Sequence, residues 1–557
     1  MCGGAVGLSL VVLLLDDMRF DQLEVLAAAD ARLAEHAVVF DRAYVTIPMC
    51  CPERASFLSG GFLPQYTGVL TNEAPRGGAT VFDDSDTLAT RLQGEGYATA
   101  MLGKYLNEYG ALGPYVPPGW THYVAVDESG PYRGYAATSG SSTPDAPGVG
   151  VDSFEDAYIT SLQGSLAEAF VADHPTEPLF LYVSFRAPHA PHEPAPEDRG
   201  AFAGYTYRGG AFNESDVSDK PAWIADTPPL TEAEIVSLDL NNAGRLESLL
   251  AVDRVIVGLV DRLEAAGRLE DTVIVITSDN GQQWGEHRLV GKGVGYEESV
   301  RVPLLVWSAD LAPRHSDALV ATNLDLAATA TDLAALPARG NGVSLRSVAC
   351  GDTDTHREHV PLQGWPGNEP AWAGLVTPGW KYLETGVGEV ELYDLVNDPD
   401  EAENIAGSEG AVAASFAAQL AEARGLAITE TQLPAAVVGT PYSHGVGAWG
   451  GSGTYRWTHA RGELPAGLAL SEAGVLSGTP AAVGNYALTL LVQDDSTSPY
   501  DGRPQSDQRQ VRVSVGPRSA PFTPGPDPGC GCEGGAGMGA AGFAAGVWRQ
   551  RRRRPGA

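Results

Sequence analysis

Cysteine is scarce in this sequence: only six of its 557 residues are cysteine. So few cysteines in so long a chain exclude a disulfide framework, and cysteine usage therefore does not indicate the redox compartment. Two of the six are adjacent, Cys50 and Cys51, in the stretch IPMCCPERASFLSG. A structural zinc site needs spaced pairs such as C-x-x-C, and a disulfide between neighbours would be strained. From this stretch alone, a pair of inert buried thiols and a functional thiol both remain open.

Basic residues are also in short supply. Lysine and arginine together number 36 against 70 aspartates and glutamates, which gives a formal net charge of −34. This balance argues against a nucleic-acid-binding protein, because phosphate contacts need clustered lysine and arginine. It also argues against general attraction to polyanions. An anionic substrate would need a local basic pocket inside an acidic surface.

The apolar run Leu8–Leu15 (LSLVVLLL) is too short to span a membrane. It does not fit a signal peptide either, because no basic segment precedes it and no small-residue cleavage site follows it. Its composition, and the acidic pair Asp16-Asp17 that ends it, predict a buried parallel strand. If the protein is exported, we expect its signal segment upstream of the printed start.

Strand-length apolar runs alternate with helical stretches as far as about residue 315. The expected strands are Leu8–Leu15, Ala98–Leu102, Leu179–Phe185, Val273–Thr277 and Pro303–Trp307. The expected helices include Phe20–Ala37, Asp86–Gly94, Ser161–Ala172 and Ala243–Ala266. This alternation predicts an α/β domain with a large, mostly parallel sheet flanked by helices, over residues 1–315.

Three further units are expected after residue 315. Residues 316–425 predict a smaller α+β companion subdomain, which includes WKYLET and a helix over Ala411–Arg424. Residues 426–516 contain short alternating strands with Gly/Pro turns, a pattern typical of a β-sandwich. Residues 517–557 begin with a Pro/Gly linker and end in a tail that contains Cys530, Cys532 and the run Arg551–Arg554.

Polar residues follow four of the predicted strands. In an open α/β sheet, ligands bind outside the carboxyl ends of the strands, so we expect these residues to converge. Asp16, Asp17, Asp279 and Asn280 offer hard oxygen ligands, which suit Ca²⁺ or Mg²⁺ better than zinc. Taken singly, each of these aspartates could instead cap a helix.

Basic side chains accompany the acidic ones. Lys104 and Lys292 are the candidate anion-binding residues, although a lone lysine is usually only solvated. His192 is the candidate acid or hydrogen-bond donor near neutral pH, with His189 as its nearest rival. His287, in GEH, fits a structural role as well as a functional one.

The motifs resemble those of type I sulfatases. The family signature C-x-P-x-R stands here as Cys50-Cys51-Pro52-Glu53-Arg54, followed by Ser59-Gly60. LLLDDMRFDQL, GKYLNEYG, PPGW, APHAPHEPAP, SDNGQQWGEH, YEESVRVPLLV and LYDLVNDPDEAEN match the family in order, over roughly residues 8 to 406. The double cysteine with GKYLNEYG and PPGW is most similar to the glucosamine-6-sulfatase branch. The resemblance implies an alkaline-phosphatase-like fold and hydrolysis of a sulfate ester, with glucosamine 6-sulfate as the best-matching substrate type.

The resemblance also implies a role for Cys50. In the family, a separate formylglycine-generating enzyme oxidises the first cysteine of the motif to an aldehyde. Cys51 is then the variable position and need not be reactive. One hydroxyl of the aldehyde hydrate attacks sulfur, and the other expels sulfate as the carbonyl re-forms, so the second step is easy.

The other matched positions receive roles from the same resemblance. Ca²⁺, with Mg²⁺ as the alternative ion, would be held by Asp16, Asp17, Asp279 and Asn280 and would contact the modified Cys50. Arg54 would support the hydrate, Lys104 and Lys292 would bind sulfate oxygens, and His192 would protonate the leaving alcohol. Two positions depart from many relatives: Glu53 replaces a small residue, and Leu106 stands where many relatives have histidine.

The C-terminal units carry resemblances of their own. The sandwich resembles Ig-like domains of bacterial surface proteins through LPAGLALSEAGVLSGTP and GNYALTLLVQD. The tail resembles a myxobacterial sorting signal, with a disordered tail as the alternative. We therefore expect a secreted or cell-envelope protein. Two other functions remain open: a phosphate or phosphonate monoester hydrolase on the same fold, and an inactive glycan-binding surface protein.

Overall fold

The computed structural model describes residues 1–4, 6–126, 130–143, 147–365, 371–423, 426–428, 433–449, 454–497 and 504–517. Its largest element is a ten-stranded sheet with the order β12-β2-β11-β8-β1-β7-β3-β4-β5-β6. These strands are β1 (Ser9–Asp16), β2 (Ala37–Tyr44), β3 (Ala98–Lys104), β4 (His122–Val126), β5 (Tyr135–Ser141), β6 (Gly148–Phe154), β7 (Leu179–Pro188), β8 (Thr272–Ser278), β11 (Leu304–Trp307) and β12 (Arg314–Ala321). A short ribbon, β9 (Gln283–Trp284) and β10 (Val290–Gly291), lies outside it.

The five central strands, β8, β1, β7, β3 and β4, run parallel to one another, whereas β5, β6 and β11 pair antiparallel. Strand β1 is buried on both faces because its side chains alternate between two cores. Leu10, Val12 and Leu14 pack in one core, and Val11, Leu13 and Leu15 pack in the other. The predicted α/β fold with a large sheet flanked by helices is confirmed, with a parallel centre and mixed edges.

Helices cover both faces of this sheet. The helices in this part of the chain are α1 (Ala27–Leu33), α2 (Cys50–Leu58), α3 (Pro64–Thr67), α4 (Leu88–Gly94), α5 (Ile159–Asp173), α6 (Ala222–Ala225), α7 (Glu232–Ala265), α8 (Glu297–Val300) and α9 (Thr322–Leu333). The long helix α7 begins eleven residues before the predicted start at Ala243, because Thr231 and Glu234 form a capping box. The predicted helix Phe20–Ala37 is wrong at both ends: 3₁₀ turns flank α1, and Ala37 already begins β2.

The main sheet continues past residue 315, where the sequence analysis placed a domain boundary. Strand β12 joins the sheet beside β2, and α9 follows it directly. The smaller sheet starts later and has the order β13-β14-β15-β16. It contains β13 (Val360–Gly364), β14 (Trp372–Val376), β15 (Trp380–Thr385) and β16 (Val390–Asp394), with the helices α10 (Arg346–Cys350) before it and α11 (Gly410–Ala423) after it.

The predicted β-sandwich is present after residue 425. It contains the sheets β18-β25-β24-β21 and β19-β23-β22 and the pair β17-β20. The strands are β17 (Ala427–Ile428), β18 (Ala436–Val437), β19 (Tyr442–Gly445), β20 (Ala448–Trp449), β21 (Tyr455–Gly462), β22 (Leu468–Leu470), β23 (Val475–Gly478), β24 (Gly484–Thr497) and β25 (Pro504–Gly516). Trp457, Leu490 and Val513 belong to its separate core. The predicted sorting tail, with Cys530, Cys532 and Arg551–Arg554, lies outside the described residues.

One disulfide bond joins Cys2 to Cys350, with 5.5 Å between their Cα atoms. The bond was not predicted, because the two cysteines are 348 residues apart and no spacing motif links them. In the described part of the chain, no helix has the length and apolar character needed to cross a bilayer.

Candidate active site

The candidate site forms where the strands β1 and β8 end side by side. Their parallel pairing places Asp16, the last residue of β1, beside the end of β8, which Asp279 follows directly. Asp17 has a φ of 71°, in the left-handed region, and its backbone N–H donates to Asp279 Oδ1 at 3.1 Å. Residues from two distant segments of the chain thereby come into contact at one edge of the sheet.

Cys50 lies at the start of α2 and faces these strand ends. Its Sγ donates to Asp16 Oδ1 at 3.3 Å, and Lys292 Nζ lies 2.7 Å from the same sulfur. Burial raises the pKa of the Cys50 thiol well above its ordinary range, and Asp16 and Asp279 raise it further. The unmodified side chain is therefore a protonated thiol at neutral pH, which is a poor nucleophile. Cys51 is also buried, but its backbone N–H donates to Asn72 Oδ1 at 2.9 Å, outside this cluster.

Arg54, one turn after Cys50, joins the helix to the strand ends. Its Nε and Nη2 donate to Asp279 Oδ2 at 2.9 and 2.8 Å, and its Nη1 donates to the carbonyl of Lys104 at 2.8 Å. Nη1 also donates to Ser184 Oγ on β7. Arg54 and Asp279 are both fully buried, so this pair fixes the position of α2 relative to the sheet.

Two lysines approach the carboxylates. Lys104, at the end of β3, places Nζ 2.6 Å from Asp16 Oδ2, and Lys292 pairs with Asp17 Oδ1. Burial lowers the pKa of both ammonium groups, but the neighbouring carboxylates outweigh it and raise the pKa overall, so both carry charge at neutral pH. Gly103 has a φ of 120°, and a Cβ there would lie 2.0 Å from the Ser184 carbonyl, so only glycine brings β3 this close to β7.

The residues present fit a hard divalent cation. Ligand atoms of Asp16, Asp17, Cys50 and His189 lie within 4.8 Å of one another, and the first three residues are buried. Asn280 is buried, and its Oδ1 accepts no hydrogen bond from any described residue, while its Nδ2 donates to Asp17 Oδ1 at 2.7 Å. A free buried oxygen beside clustered carboxylates is a donor set suited to Ca²⁺ or Mg²⁺. Asp279 borders this set, and its two oxygens accept from the Asp17 N–H and from Arg54.

The structure places the candidate histidines in different surroundings. His189, named only as a rival, places Nε2 3.8 Å from Asp17 Oδ2. The preferred His192 engages the carbonyl of Pro188 through Nδ1 at 2.9 Å. Burial lowers the pKa of His192 to about 4, and the nearby Arg245 lowers it too, so its ring is neutral near pH 7. His287 is buried against Glu214 at 2.8 Å, which fits the structural role considered for it.

Comparison with known proteins identifies the family. The model of the family described as Sulfatase matches residues 9–336, more than half of the chain. The chain belongs to the sulfatase family. Residues 285–425 match the family described as N-sulphoglucosamine sulphohydrolase, C-terminal, and residues 426–514 match the family described as "Putative Ig domain".

Named relatives of this sulfatase include glucosamine-sulfate enzymes. The human N-acetylglucosamine-6-sulfatase is 30% identical over 455 residues, which cover 71% of this chain and 80% of the human protein. A Bacteroides thetaiotaomicron N-acetylglucosamine-6-O-sulfatase is 26% identical over 68% of this chain and 77% of its own length. A Caenorhabditis elegans protein named as an extracellular sulfatase Sulf-1 homolog is 29% identical over 64% of this chain, and the chain spans about half of its length.

Solved structures share the fold. A protein in complex with its substrate D-glucosamine-2-N,6-O-disulfate superposes with a TM-score of 0.63 at 22% identity, over 74% of this chain and 97% of that one. A 2-O glycosaminoglycan sulfatase superposes with a TM-score of 0.57 at 20% identity, over 74% and 91%. These likenesses confirm the predicted alkaline-phosphatase-like fold.

Two residues in or beside the site were not predicted from the sequence. Ser184 lies within the buried strand β7, where nothing in the local sequence distinguishes it from a packed core residue. Arg245 lies on α7. Its neighbours depend on how this helix packs against the loop that carries His192. No motif at either position signals contact with the site.

Proposed function

We propose that this sulfatase removes the 6-sulfate from a glucosamine unit of a sulfated carbohydrate, with a formylglycine formed from Cys50 as its nucleophile and Ca²⁺ as its metal. One observation carries the proposal: the Cys50 sulfur lies between Lys292 and Asp16 at the strand ends, 2.7 Å from the lysine nitrogen and 3.3 Å from the aspartate oxygen. A nucleophile at this position meets cationic groups that neutralise sulfate and carboxylates that hold a cation.

The chemistry of Cys50 supports the modification. A buried thiol whose pKa is raised by burial and by adjacent carboxylates stays protonated, so the unmodified side chain would not attack sulfur. Conversion to formylglycine supplies a hydrated aldehyde, whose two hydroxyls allow attack and then release of sulfate. The formylglycine-generating enzyme is therefore a maturation partner under this proposal. Cys51, held outside the cluster, stays a thiol.

Other residues of the chain would take the remaining roles. Asp16, Asp17 and Asn280 would hold the metal together with the modified Cys50, with Asp279 at the border of the set. Lys104 and Lys292 would bind sulfate oxygens and stabilise charge that develops during transfer. Arg54 orients α2 and holds Asp279. His189 and His192 are the two candidates for donating a proton to the leaving alcohol.

The substrate class rests on several supports. Motifs around Cys50 and Lys104 match the glucosamine-6-sulfatase branch, and the named relatives in human and Bacteroides thetaiotaomicron are N-acetylglucosamine 6-sulfatases. The net charge of −34 opposes approach of a long sulfated polymer except at the site itself. We therefore propose a chain end or a short oligosaccharide as the preferred substrate.

The test is to co-express the protein with a formylglycine-generating enzyme and to measure released sulfate from defined substrates. We expect turnover of an aryl sulfate and of N-acetylated or N-sulfated glucosamine 6-sulfate, with faster release from disaccharides than from internal polymer positions. Faster turnover of an aryl phosphate than of the aryl sulfate would show that the main activity is that of a phosphomonoesterase. Activity confined to galactose or fucose sulfates would overturn the glucosamine assignment alone, and no turnover at all would favour a glycan-binding protein.

The compartment follows from related observations. Relatives from Caenorhabditis elegans and Drosophila melanogaster are named as extracellular sulfatases. The disulfide between Cys2 and Cys350 suits an oxidising compartment. We propose secretion, with envelope attachment through the C-terminal tail, and cell fractionation with and without residues 517–557 tests the attachment.

A further inference from the structure

Arg245 is a buried cation that lacks an acidic partner. Its side chain belongs to α7, and the residue is 5% exposed. Nη1 donates to Asn242 Oδ1 at 2.6 Å, whereas neither Nε nor Nη2 donates to any described residue. No carboxylate of the described residues lies within 4 Å of it. Two buried arginines nearby differ in this respect: Arg19 pairs with Asp21 and Glu286, and Arg54 pairs with Asp279.

An unpaired buried guanidinium is costly, because the charge loses its hydration without gaining an ion partner. Burial lowers the pKa of Arg245 to about 10, although Asp17 partly opposes this effect and Arg19 adds to it, and the group still carries its charge at neutral pH. The side chain is nevertheless held in place, since its guanidinium carbon lies 5.6 Å from the centre of the Trp284 ring. A positioned cation with two free donors is ready for an anion that arrives from outside the chain.

The position of Arg245 shows where that anion would lie. The preceding residue, Gly244, packs against His192: a Cβ at Gly244 would lie 3.3 Å from the His192 Cβ. The charge of Arg245 lowers the pKa of His192, and the charge of Asp17 raises the pKa of Arg245. Arg245 therefore lies beside the loop that carries His192, on the Asp17 and His192 side of the candidate site.

We propose that Arg245 forms a second anion subsite, which binds a second sulfo group on the same sugar as the reacting ester. This inference rests on the proposed function. The free Nε and Nη2 edge of the guanidinium can donate two parallel hydrogen bonds to two sulfo oxygens. On a glucosamine 6-sulfate the second sulfo group is the one on the 2-amino nitrogen. Arg245 then makes the enzyme prefer N-sulfated over N-acetylated glucosamine 6-sulfate.

The experiment compares Arg245→Met and Arg245→Lys with the formylglycine-bearing wild type on three substrates. These are glucosamine-2-N,6-O-disulfate, N-acetylglucosamine 6-sulfate and an aryl sulfate. We expect Arg245→Met to lower kcat/KM for the disulfate by at least about tenfold more than for either of the other two. The kcat/KM of Arg245→Lys for the disulfate should lie between those of wild type and Arg245→Met, because lysine keeps the charge but loses the planar fork.

A binding measurement removes turnover from the comparison. In a Cys50→Ala background, calorimetry should show that Arg245→Met weakens the binding of the disulfate by about tenfold more than the binding of N-acetylglucosamine 6-sulfate. Arg262→Met is the matched control, because Arg262 lies on the same helix about 25 Å away and should change no substrate's affinity. Melting temperatures of all variants show whether each is folded.

The outcomes separate this inference from the proposed function. Wild-type enzyme that turns over no sulfate ester contradicts both. Wild-type enzyme that hydrolyses the aryl sulfate, but shows equal losses on all three substrates in Arg245→Met, overturns the subsite alone. A wild-type preference for the N-acetylated sugar, or an unchanged disulfate affinity in folded Arg245→Met, overturns it as well.

Discussion

Lys292 Nζ lies 2.7 Å from Cys50 Sγ, although 242 residues separate them in the chain. The same ammonium group pairs with Asp17, so one cation contacts both the expected nucleophile position and a candidate metal ligand. This arrangement places the first cysteine of the motif inside a cluster of charges, where a small change of side chain has large electrostatic consequences.

The two adjacent cysteines should behave differently. With a co-expressed formylglycine-generating enzyme, Cys50 should become an aldehyde and Cys51 should stay a thiol, as read by peptide mass mapping. Cys50→Ala should abolish turnover. Cys51→Ala removes one buried sulfur outside the cluster and should keep activity within about threefold. Active protein whose Cys50 is unmodified would contradict the mechanism.

The candidate metal ligands should be essential. Asp17→Ala removes a carboxylate from the cluster, and Asp279→Ala removes the carboxylate that accepts two hydrogen bonds from the buried Arg54. Each change should lower kcat at least about a hundredfold and reduce the bound calcium measured by elemental analysis. Asp226→Ala, at an exposed position, is the control and should change neither kcat nor the bound calcium. Full activity in protein shown to be free of metal would refute the calcium assignment.

His189 should matter more than His192. His189→Gln removes the ring that faces Asp17 and should lower kcat at least about tenfold. Since burial and Arg245 hold the pKa of His192 near 4, its ring is already neutral above about pH 5. The difference between wild type and His192→Gln should therefore not vary between pH 6 and 8 in a kcat profile. A larger loss in His192→Gln than in His189→Gln would restore His192 as the proton donor.

Asp325 should contribute stability that depends on pH. Burial raises the pKa of this carboxyl, but Arg357 and His356 outweigh it and lower the pKa to about 2. Its contribution is present above the ordinary pKa of about 4 and is lost as pH falls towards 2. Asp325→Ala should cost about 3–5 kcal/mol at pH 7, because it removes the buried carboxylate that pairs with Arg357. Urea unfolding should show that the difference in unfolding free energy between wild type and Asp325→Ala becomes smaller as the pH falls from 7 to 3. Asp317→Ala, a largely exposed aspartate, should show no such effect.

A chain that ends at Gly425 should fold and hydrolyse an aryl sulfate as well as the full chain does. Each candidate site residue precedes residue 300, and the sandwich has its own core around Trp457 and Leu490. Circular dichroism and kcat/KM check this prediction. A folded but inactive truncated protein would show that the sandwich contributes to the site.

Local sequence patterns were sufficient to predict several strands of the main sheet and the motifs of the candidate site. The alternating apolar runs predicted β1, β3, β7, β8 and β11, because a strand buried on both faces must be apolar throughout. The C-x-P-x-R motif and the acids after β1 and β8 predicted the site, because parallel strands bring their carboxyl ends to one edge. The family resemblance then supplied the roles of Cys50, Lys104 and Lys292.

Tertiary packing decided the remainder. The choice between His189 and His192 depends on which way the loop after β7 turns towards Asp17. The partner of Cys2 depends on a contact with Cys350, 348 residues away. Arg245 lies beside the His192 loop because α7 packs against that loop through Gly244. Sequence determines which side chains are available and in which element each lies, but non-local packing decides which of them meet and which buried charge is left without a partner.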